Sequence, residues 1–461
     1  MLQRVLLLSS LLILFTGSVF AQPSTQWSAN ANTAWYNSTD TEFAITTSEQ
    51  IAGLSVLVAG ENDFSEKTIN IMNDLDLAAH LWTPIGPDYT LPFSGTVDGN
   101  DHVISNLFIV IPGVDWTGLF GMCTNSTISN IRLDNVYLRA AGTAGALMGN
   151  CATNSTITDC HATGVDIVGT SFNVGGLVGS MMTNSNMLRC SSTGSVTGES
   201  QVGGLVGSPW DLTSITECWS GGTVSAQHLA GGLVGYCTIA FLPDRNNTLN
   251  NCYSRANVTV VNGRAGGLYG GADGNLIAAN CYSTGTATGA ELIGGFIGAV
   301  GGMNTTNSYW DMETSGLANG IGGWLGAESP QEITGKTTAE MKTTTMVDLL
   351  NGTQTSAPWT IDPSINDGYP ILASMSVGIA PSAASPVELS VYPIPFNATV
   401  QLGSRADLHS YSIYSTTGNL IRSAELTGNS SSLDLRDLAS GAYVLSVLTS
   451  KGIATERIIK R

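Results

Sequence analysis

Between residues 100 and 310 the apolar positions come singly or in short groups, separated by runs of Gly, Ser, Thr and Asn. No stretch there keeps the spacing of an amphipathic helix. Short β-prone pieces such as Gly204-Leu205-Val206, Ser214–Ser220 and Thr223–Ser225 alternate instead with turn residues. The phrase Gly175-Gly176-Leu177-Val178-Gly179 returns at Gly203–Gly207 and Gly231–Gly235, with looser copies around Leu119, Leu147, Leu268 and Phe296. Its central apolar residue falls at 119, 147, 177, 205, 233, 268 and 296, in steps of 28, 30, 28, 28, 35 and 28. A second ladder of core candidates, spaced i, i+3, runs Ile104/Leu107, Ile128/Ile131, Ile157/Cys160, Met187/Cys190, Ile215/Cys218, Leu249/Cys252 and Ala278/Cys281, with Ser308 where the eighth rung falls. Strand alternation would put i and i+3 on opposite faces, so the chain is expected to bend between them. A fixed period of this length marks a stacked array, in which each coil buries its inner face on its neighbours.

The pattern predicts an all-β fold: a parallel, right-handed β-helix of about 28-residue coils. Ile51, Leu54 and Val58 recur at helical spacing behind Thr47 and Gln50, which are placed for a capping box. A helix over 48–59 is therefore expected to cap the open end of the stack. The expected organisation is a leader at 1–21, an N-terminal segment and capping helix at 22–60, and a β-helix at 61–372 with its repeat core at 100–310. A Ser/Ala/Pro linker at 373–387 and a small β-sandwich at 388–461 complete it.

Composition narrows the function. Charged residues make up 11% of the chain and the net charge is −18, which excludes nucleic acid as a partner because phosphate binding needs a basic patch. Arg4, the apolar run Val5–Phe15 and the small-residue site Ser18-Val19-Phe20-Ala21 read as a secretory signal peptide. No later stretch is suited to span a bilayer as a helix, so an exported protein is expected.

The glycine phrases, with Asn251-Cys252-Tyr253-Ser254 and Asn280-Cys281-Tyr282-Ser283-Thr284-Gly285, resemble the GLUG repeats of bacterial surface proteins. The resemblance extends through Tyr309–Gly316, Gly335–Met341 and Asp367-Gly368-Tyr369-Pro370, and implies a β-solenoid on a secreted or adhesin-like protein. Val391-Tyr392-Pro393-Ile394-Pro395-Phe396-Asn397 resembles the opening motif of the C-terminal sorting domain of type IX secretion cargo, with Ile394 where that family usually has Asn. Pro393, Pro395, Phe396, Gly418, Gly441 and Tyr443 carry the match. It implies handling by the type IX machinery and delivery to the surface, or release, in a Bacteroidetes-type bacterium.

Candidate chemistry is sparse. Just after the cysteine ladder come His161, Trp219, Tyr253 and Tyr282, with Tyr309 after Ser308. Trp219, Tyr253, Tyr282 and Tyr309 would form an aromatic stripe on four successive coils. Such stripes bind sugar rings, and they also tie coils together at about 0.5–1.5 kcal/mol per ring pair. Structural stacking is the plainer reading and a glycan the sharper one. Asp159, Arg189 and Glu217 precede the cysteines as an acid–base–acid stack, either a surface charge ladder or the cluster of a polysaccharide lyase. Asp98, Asn100 and Asp101 suit a calcium loop or a Gly-Asn turn equally, and no other cofactor is indicated. The eight cysteines read first as buried thiols, with rung-to-rung disulfides as the alternative. His-Glu-x-x-His, Gly-x-Ser-x-Gly and phosphate-loop motifs are absent. The expected function is a non-catalytic adhesin or glycan- or surface-binding protein; the alternatives are a polysaccharide lyase or hydrolase and a purely structural spacer.

Overall fold

The bend between the paired core positions is one left-handed residue per coil. Asn130, Asp159, Arg189, Glu217, Asn251, Asn280 and Asn307 all have φ between 45° and 56°. Asparagine tolerates this region because its short side chain bonds locally, whereas other non-glycine residues pay about 1–2 kcal/mol for it. Each of these residues turns the chain from one sheet to the next, so that Ile157 and Cys160, for instance, both point inward and are fully buried.

The computed structural model describes residues 23–111, 113, 115–237, 246–325, 333–374, 389–392, 396–404, 407–415, 420–439, 441–449 and 452–461. The chain divides into two units between Ser374 and Met375. The expected leader 1–21 and the linker from 375 onward lie outside the described residues.

In the first unit one coil contains the strands Val178–Met181, Asn186–Leu188, Ser191–Gly198 and Ser200–Gly203. Equivalent strands of successive coils pair in parallel and in register: Ile157↔Met187↔Ile215↔Leu249, Val174↔Val202↔Ala230 and Ser191↔Trp219↔Tyr253. Three sheets result, of 16, 12 and 7 strands among the described residues. The sequence suggested three β pieces per coil. The strand it missed is the short Gly-containing one, Ser200–Gly203 and its equivalents, which builds the 7-stranded sheet.

The glycine phrase is a packing device. Leu177, Leu205, Leu233, Leu268 and Phe296 are fully buried, as their position predicted. None of the glycines at 175, 176, 203, 204, 231 or 232 has a left-handed φ; what they supply is room for the close approach of coils. A Cβ on Gly204 would sit 2.1 Å from the Gly232 carbonyl oxygen of the next coil, and one on Gly176 would sit 2.1 Å from that of Gly204. From the opposite wall Ser220 Oγ donates to Gly232 O and Ser283 Oγ to Gly295 O, both at 2.7 Å. The Asn-Cys-Tyr-Ser phrase thus reads as corner, inward, outward, inward.

The helix Ser48–Ala59 starts with the predicted capping box, Thr47 and Gln50 bonding each other's backbone N–H. Its Ile51, Leu54 and Val58 are buried in one core with the first coils, which removes unpaired apolar surface from the end of the stack. At the other end the structure corrects the expected extent of the β-helix. The last solenoid strand is Ile333–Lys336. Residues 338–372 form instead the helices Thr338–Met341 and Thr344–Asn351 and an antiparallel pair, Trp359–Thr360 with Ile371–Leu372.

The second unit is a pair of antiparallel sheets. One holds Leu389–Tyr392, Thr399–Ser404 and Ser430–Asp434; the other holds Leu408–Ser415, Leu420–Glu425, Gly441–Thr449 and Gly452–Lys460. Val400, Leu402 and Leu433 from the first and Ile413, Leu445, Val447 and Ile458 from the second share one buried core.

Candidate functional site

The aromatic row forms because strand register is exact across the coils that carry it. Trp219 pairs with Tyr253, Tyr253 with Tyr282, and Tyr282 with Tyr309. Trp219 and Tyr253 stack with centroids 5.7 Å apart and planes at 5°, Tyr253 and Tyr282 at 4.9 Å and 7°. The predicted ladder therefore exists, but its open face does not.

Residues 338–372 lie along it as a cover. Trp359 packs on Tyr253 at 5.9 Å and on Tyr282 at 5.5 Å, and its Nε1 donates to Asn251 Oδ1 at 3.0 Å. Gln354 exchanges two hydrogen bonds with Asn251, at 2.9 and 3.1 Å. Tyr282 OH donates to Pro370 O at 2.6 Å and accepts from Asn366 Nδ2 at 3.0 Å. Arg255 reaches across to Asn366 and Asp367. Tyr253, Tyr282 and Tyr309 are left 1%, 0% and 6% exposed, and burial pushes the Tyr253 and Tyr282 phenols up from their ordinary range. These three rings cannot offer a face to a sugar while the cover is seated. The physical reason is plain: each ring carries more than 100 Å² of apolar surface (on the order of 150–250 Å²), and Trp359 and Tyr369 are the nearest surfaces able to remove it from water. Trp219, at the edge of the cover, stays half-buried.

The cover is pinned through Asp311, a fully buried carboxylate. Its Oδ1 accepts from the backbone N–H groups of Glu313 and Thr314, capping a short helix, at 2.9 and 3.1 Å. Its Oδ2 accepts from Thr338 Oγ1 at 2.8 Å and Tyr369 OH at 2.7 Å. Replacing it by Asn leaves a group that can accept at only one oxygen. Asp311→Asn is expected to lower stability by about 1–3 kcal/mol and to raise hydrogen exchange first in residues 338–372. Uniform destabilisation without that local change would speak against Asp311 as the fastening point.

The other candidates resolve into structure. Arg189 makes a two-point ion pair with Asp159, both bonds 2.7 Å, on the outer corner; half-exposed, it is worth at most about 1 kcal/mol. Asp98 Oδ1 accepts from Asn100 N–H and Asn130 Nδ2 at 2.9 Å, and Asp101 pairs with Arg132 at 2.9 Å. This is the turn reading of the Asp98–Asp101 stretch. No cluster of three metal-ligating side chains occurs among the described residues. His161 Nδ1 meets Ser191 Oγ at 2.9 Å, and burial holds its imidazole below the usual histidine range. What sequence reasoning missed is the pairing partner of the stripe: Gln354, Trp359, Asn366 and Tyr369. The isolated Trp359 and the Asp367-Gly368-Tyr369-Pro370 phrase in an otherwise polar stretch were the available signal.

Of the sorting-motif residues, Phe396 is buried and accepts from Arg461 N–H at 3.0 Å, and Tyr443 donates to Ala439 O at 2.8 Å. Gly441 opens the strand Gly441–Thr449. Pro393, Pro395 and Gly418 lie outside the described residues.

Comparison with known proteins agrees with this division. A β-solenoid is joined to a sorting unit, since residues 390–461 match the secretion system C-terminal sorting domain. This is a type IX secretion signal, and it marks an exported protein, surface-bound or secreted, of a Bacteroidetes-type bacterium. Part of the chain is 34% identical over 87 residues to halomucin of Haloquadratum walsbyi, covering 17% of this chain and 1% of that protein. A "Putative Gly-rich membrane protein" of Evansella cellulosilytica is 34% identical over 90 residues, 17% of this chain and 10% of the other. The chain thus spans a tenth or less of these relatives. The crystal structure of a "putative immunoglobulin A1 protease from Bacteroides ovatus" aligns with 72% of this chain and 92% of its own, at 19% identity and a TM-score of 0.48. No helix among the described residues is long and apolar enough to cross a membrane.

Proposed function

We propose that the solenoid is a non-catalytic binding module, an adhesin or glycan- and surface-binding protein that the type IX machinery carries outside the cell. In this reading residues 1–21 are the removed leader, 373–387 the linker and 388–461 the sorting domain, and the repeats belong with the GLUG repeats they resemble. The supporting observation is the end of the aromatic ladder. Trp219 is stacked on Tyr253 on one side, while its in-register neighbour on the preceding coil is Ser191, too small to stack on it. Gly221, beside the indole, has only Thr193 Cγ2 and Trp219 Cζ3 within 4 Å of a Cβ placed there. An aromatic ring left half-buried at the end of its stack, with a glycine beside it, suits one sugar ring.

The test is a glycan array with the full-length exported chain and its Trp219→Ala variant. Wild-type binding to a defined glycan class, lost in the variant while the thermal melt persists, is the expected result. Absence of binding to every glycan, or binding indifferent to Trp219, would overturn the glycan reading. Turnover of a bound polysaccharide would move the protein into the enzyme class.

A further inference from the structure

The 7-stranded sheet has the short strand Trp116–Thr117 at one edge. Beyond that edge the loop 86–92 of the preceding coil stands against it. Tyr89 of the loop meets Trp116 with ring centroids 6.3 Å apart and planes at 86°, so the two rings form a corner. Both walls are held by backbone. Trp116 pairs with Thr143 of the next coil, and a Cβ on Gly149 would lie 2.8 Å from the Trp116 carbonyl carbon. The loop is tied to the strand Phe120–Cys123, since Met122 N–H donates to Gly86 O at 2.8 Å and Phe93 N–H to Met122 O at 3.0 Å. Asp88 fixes its turn, accepting at Oδ1 from Thr90 N–H at 2.7 Å, Thr90 Oγ1 at 2.5 Å and Leu91 N–H at 3.2 Å.

Packing leaves three features of this corner unexplained. Tyr89 is 72% exposed, more than any other large hydrophobic side chain among the described residues. The polar ends of both rings are unused. Trp27, Trp35, Trp82, Trp310 and Trp359 all donate Nε1–H inside the solenoid unit, whereas Trp116 Nε1 and Tyr89 OH have no partner among the described residues. Each ring also follows directly on a carboxylate, Asp88 before Tyr89 and Asp115 before Trp116. Consecutive Cα atoms lie about 3.8 Å apart, which puts both charges inside a Debye length of the corner. The hydroxyl and N–H of Thr90 hold the Asp88 carboxyl below its ordinary range, so it is ionised. Among the described residues no lysine or arginine stands over either ring.

We infer that the Tyr89–Trp116 corner binds a quaternary ammonium group such as that of choline. This goes beyond the glycan reading and uses a different sheet and a different ligand chemistry. An aromatic face carries a negative quadrupole and attracts a cation within about 6 Å of its centroid. A trimethylammonium group is round and clad in methyls, so it touches two perpendicular walls at once. A sugar ring is flat and stacks on one wall, as proposed at Trp219. A primary ammonium brings N–H donors that need acceptors turned toward them, and Asp88 Oδ1 is already engaged by its own loop. The two carboxylates therefore act through their field, which favours a cation that has no N–H to satisfy. Because both walls are fixed beforehand, little ordering is lost when the cation arrives.

The test uses the full-length exported chain and saturation-transfer NMR on the N-methyl protons of choline. The wild type is expected to transfer saturation to them and to bind choline about 10-fold more tightly than dimethylbutanol, its neutral carbon isostere. Trp116→Ala and Tyr89→Ala should each abolish the transfer at an unchanged melting temperature, while Tyr89→Phe should keep it. An Asp88→Asn/Asp115→Asn double variant retains the Oδ1 acceptor of the loop; it should bind about 3- to 10-fold more weakly and lose most of the salt dependence. Phosphatidylcholine vesicles beside free choline tell a lipid headgroup from a soluble amine, and binding to either supports the proposal. It is overturned by absence of transfer, by equal affinity for the neutral isostere, by undiminished binding in Tyr89→Ala, or by preference for a methyl glycoside over choline. Trp219→Ala should bind choline as the wild type does, so failure here and failure of the glycan reading are separate results.

Discussion

Gly204→Val is expected to be among the most damaging single substitutions in the solenoid, costing at least the top of the usual overpacking range, about 3 kcal/mol. The first atom of the new side chain would lie 2.1 Å from Gly232 O and 3.0 Å from Ser220 Cβ. The oxygen belongs to the backbone of the next coil and accepts from Gly204 N–H at 3.1 Å, so it cannot withdraw without opening the rung. Ser220, whose hydroxyl is bonded to the same Gly232 oxygen, closes the other side. Repetition makes the effect worse, since a displaced coil loses its register with both neighbours. Gly221→Ala is the control. Its Cβ would meet nothing closer than Thr193 Cγ2 at 3.6 Å, its φ is not left-handed, and the substitution should be neutral or stabilise by about 0.4–1 kcal/mol through the unfolded chain. Urea midpoints of the two variants decide the matter: equal damage from both would show that the phrase is not reserved for close approach of coils.

That contrast also explains why the solenoid was legible in the sequence. Leu205 must face inward and Gly204 must leave room in every coil, so the requirement recurs at the period of the coil and declares itself without any knowledge of tertiary contacts. The capping helix was legible for a similar reason, as Thr47 and Gln50 act on their own backbone. The strand Ser200–Gly203 was hidden because glycine weakens the local β signal, while in-register pairing of Val202 with Val174 and Ala230 supplies the missing order.

The site was legible only by half. Placing Tyr253 and Tyr282 outward on adjacent coils follows from register, and the ladder is where the sequence put it. Whether that face meets solvent depends on groups such as Gln354 and Trp359, 103 and 108 positions away from Asn251, to which they bond. No periodicity links those positions. A buried stack that holds down a cover and an open stack that holds a sugar use the same residues, so only the tertiary structure separates them.

The cysteine ladders make the second large prediction: all eight thiols are expected to be free in the exported protein and closed to alkylation until it unfolds. Each is free and fully buried. In-register parallel coils set equivalent Cβ atoms about 4.8 Å apart, beyond the roughly 3.5–4.5 Å a disulfide spans. The sulfurs are also occupied. Cys160, Cys190, Cys218, Cys252 and Cys281 each donate to the carbonyl two residues earlier, at 3.4, 3.3, 3.1, 3.2 and 3.1 Å. Ser308 on the next rung makes the same bond to Thr306 O at 3.1 Å, and Ile131 fills the rung before Cys160, so the position asks for a buried side chain rather than a pairing sulfur. Burial pushes the Cys151 and Cys237 thiols up to about 12 and holds Cys123 well above its ordinary value. At these three positions hardly any of the reactive thiolate exists at pH 8, and burial closes the other five to the reagent. Iodoacetamide at pH 8 should therefore add nothing to the native chain and eight groups after denaturation without reductant. Cys218→Ser should keep the bond to Thr216 O and cost less than Cys218→Ala, which removes it and leaves that carbonyl only the Arg189 N–H at 3.0 Å, a difference of at most about 1 kcal/mol. Fewer than eight additions in the denatured protein would mean that some rungs are bridged, and that the coils approach more closely than a parallel sheet allows.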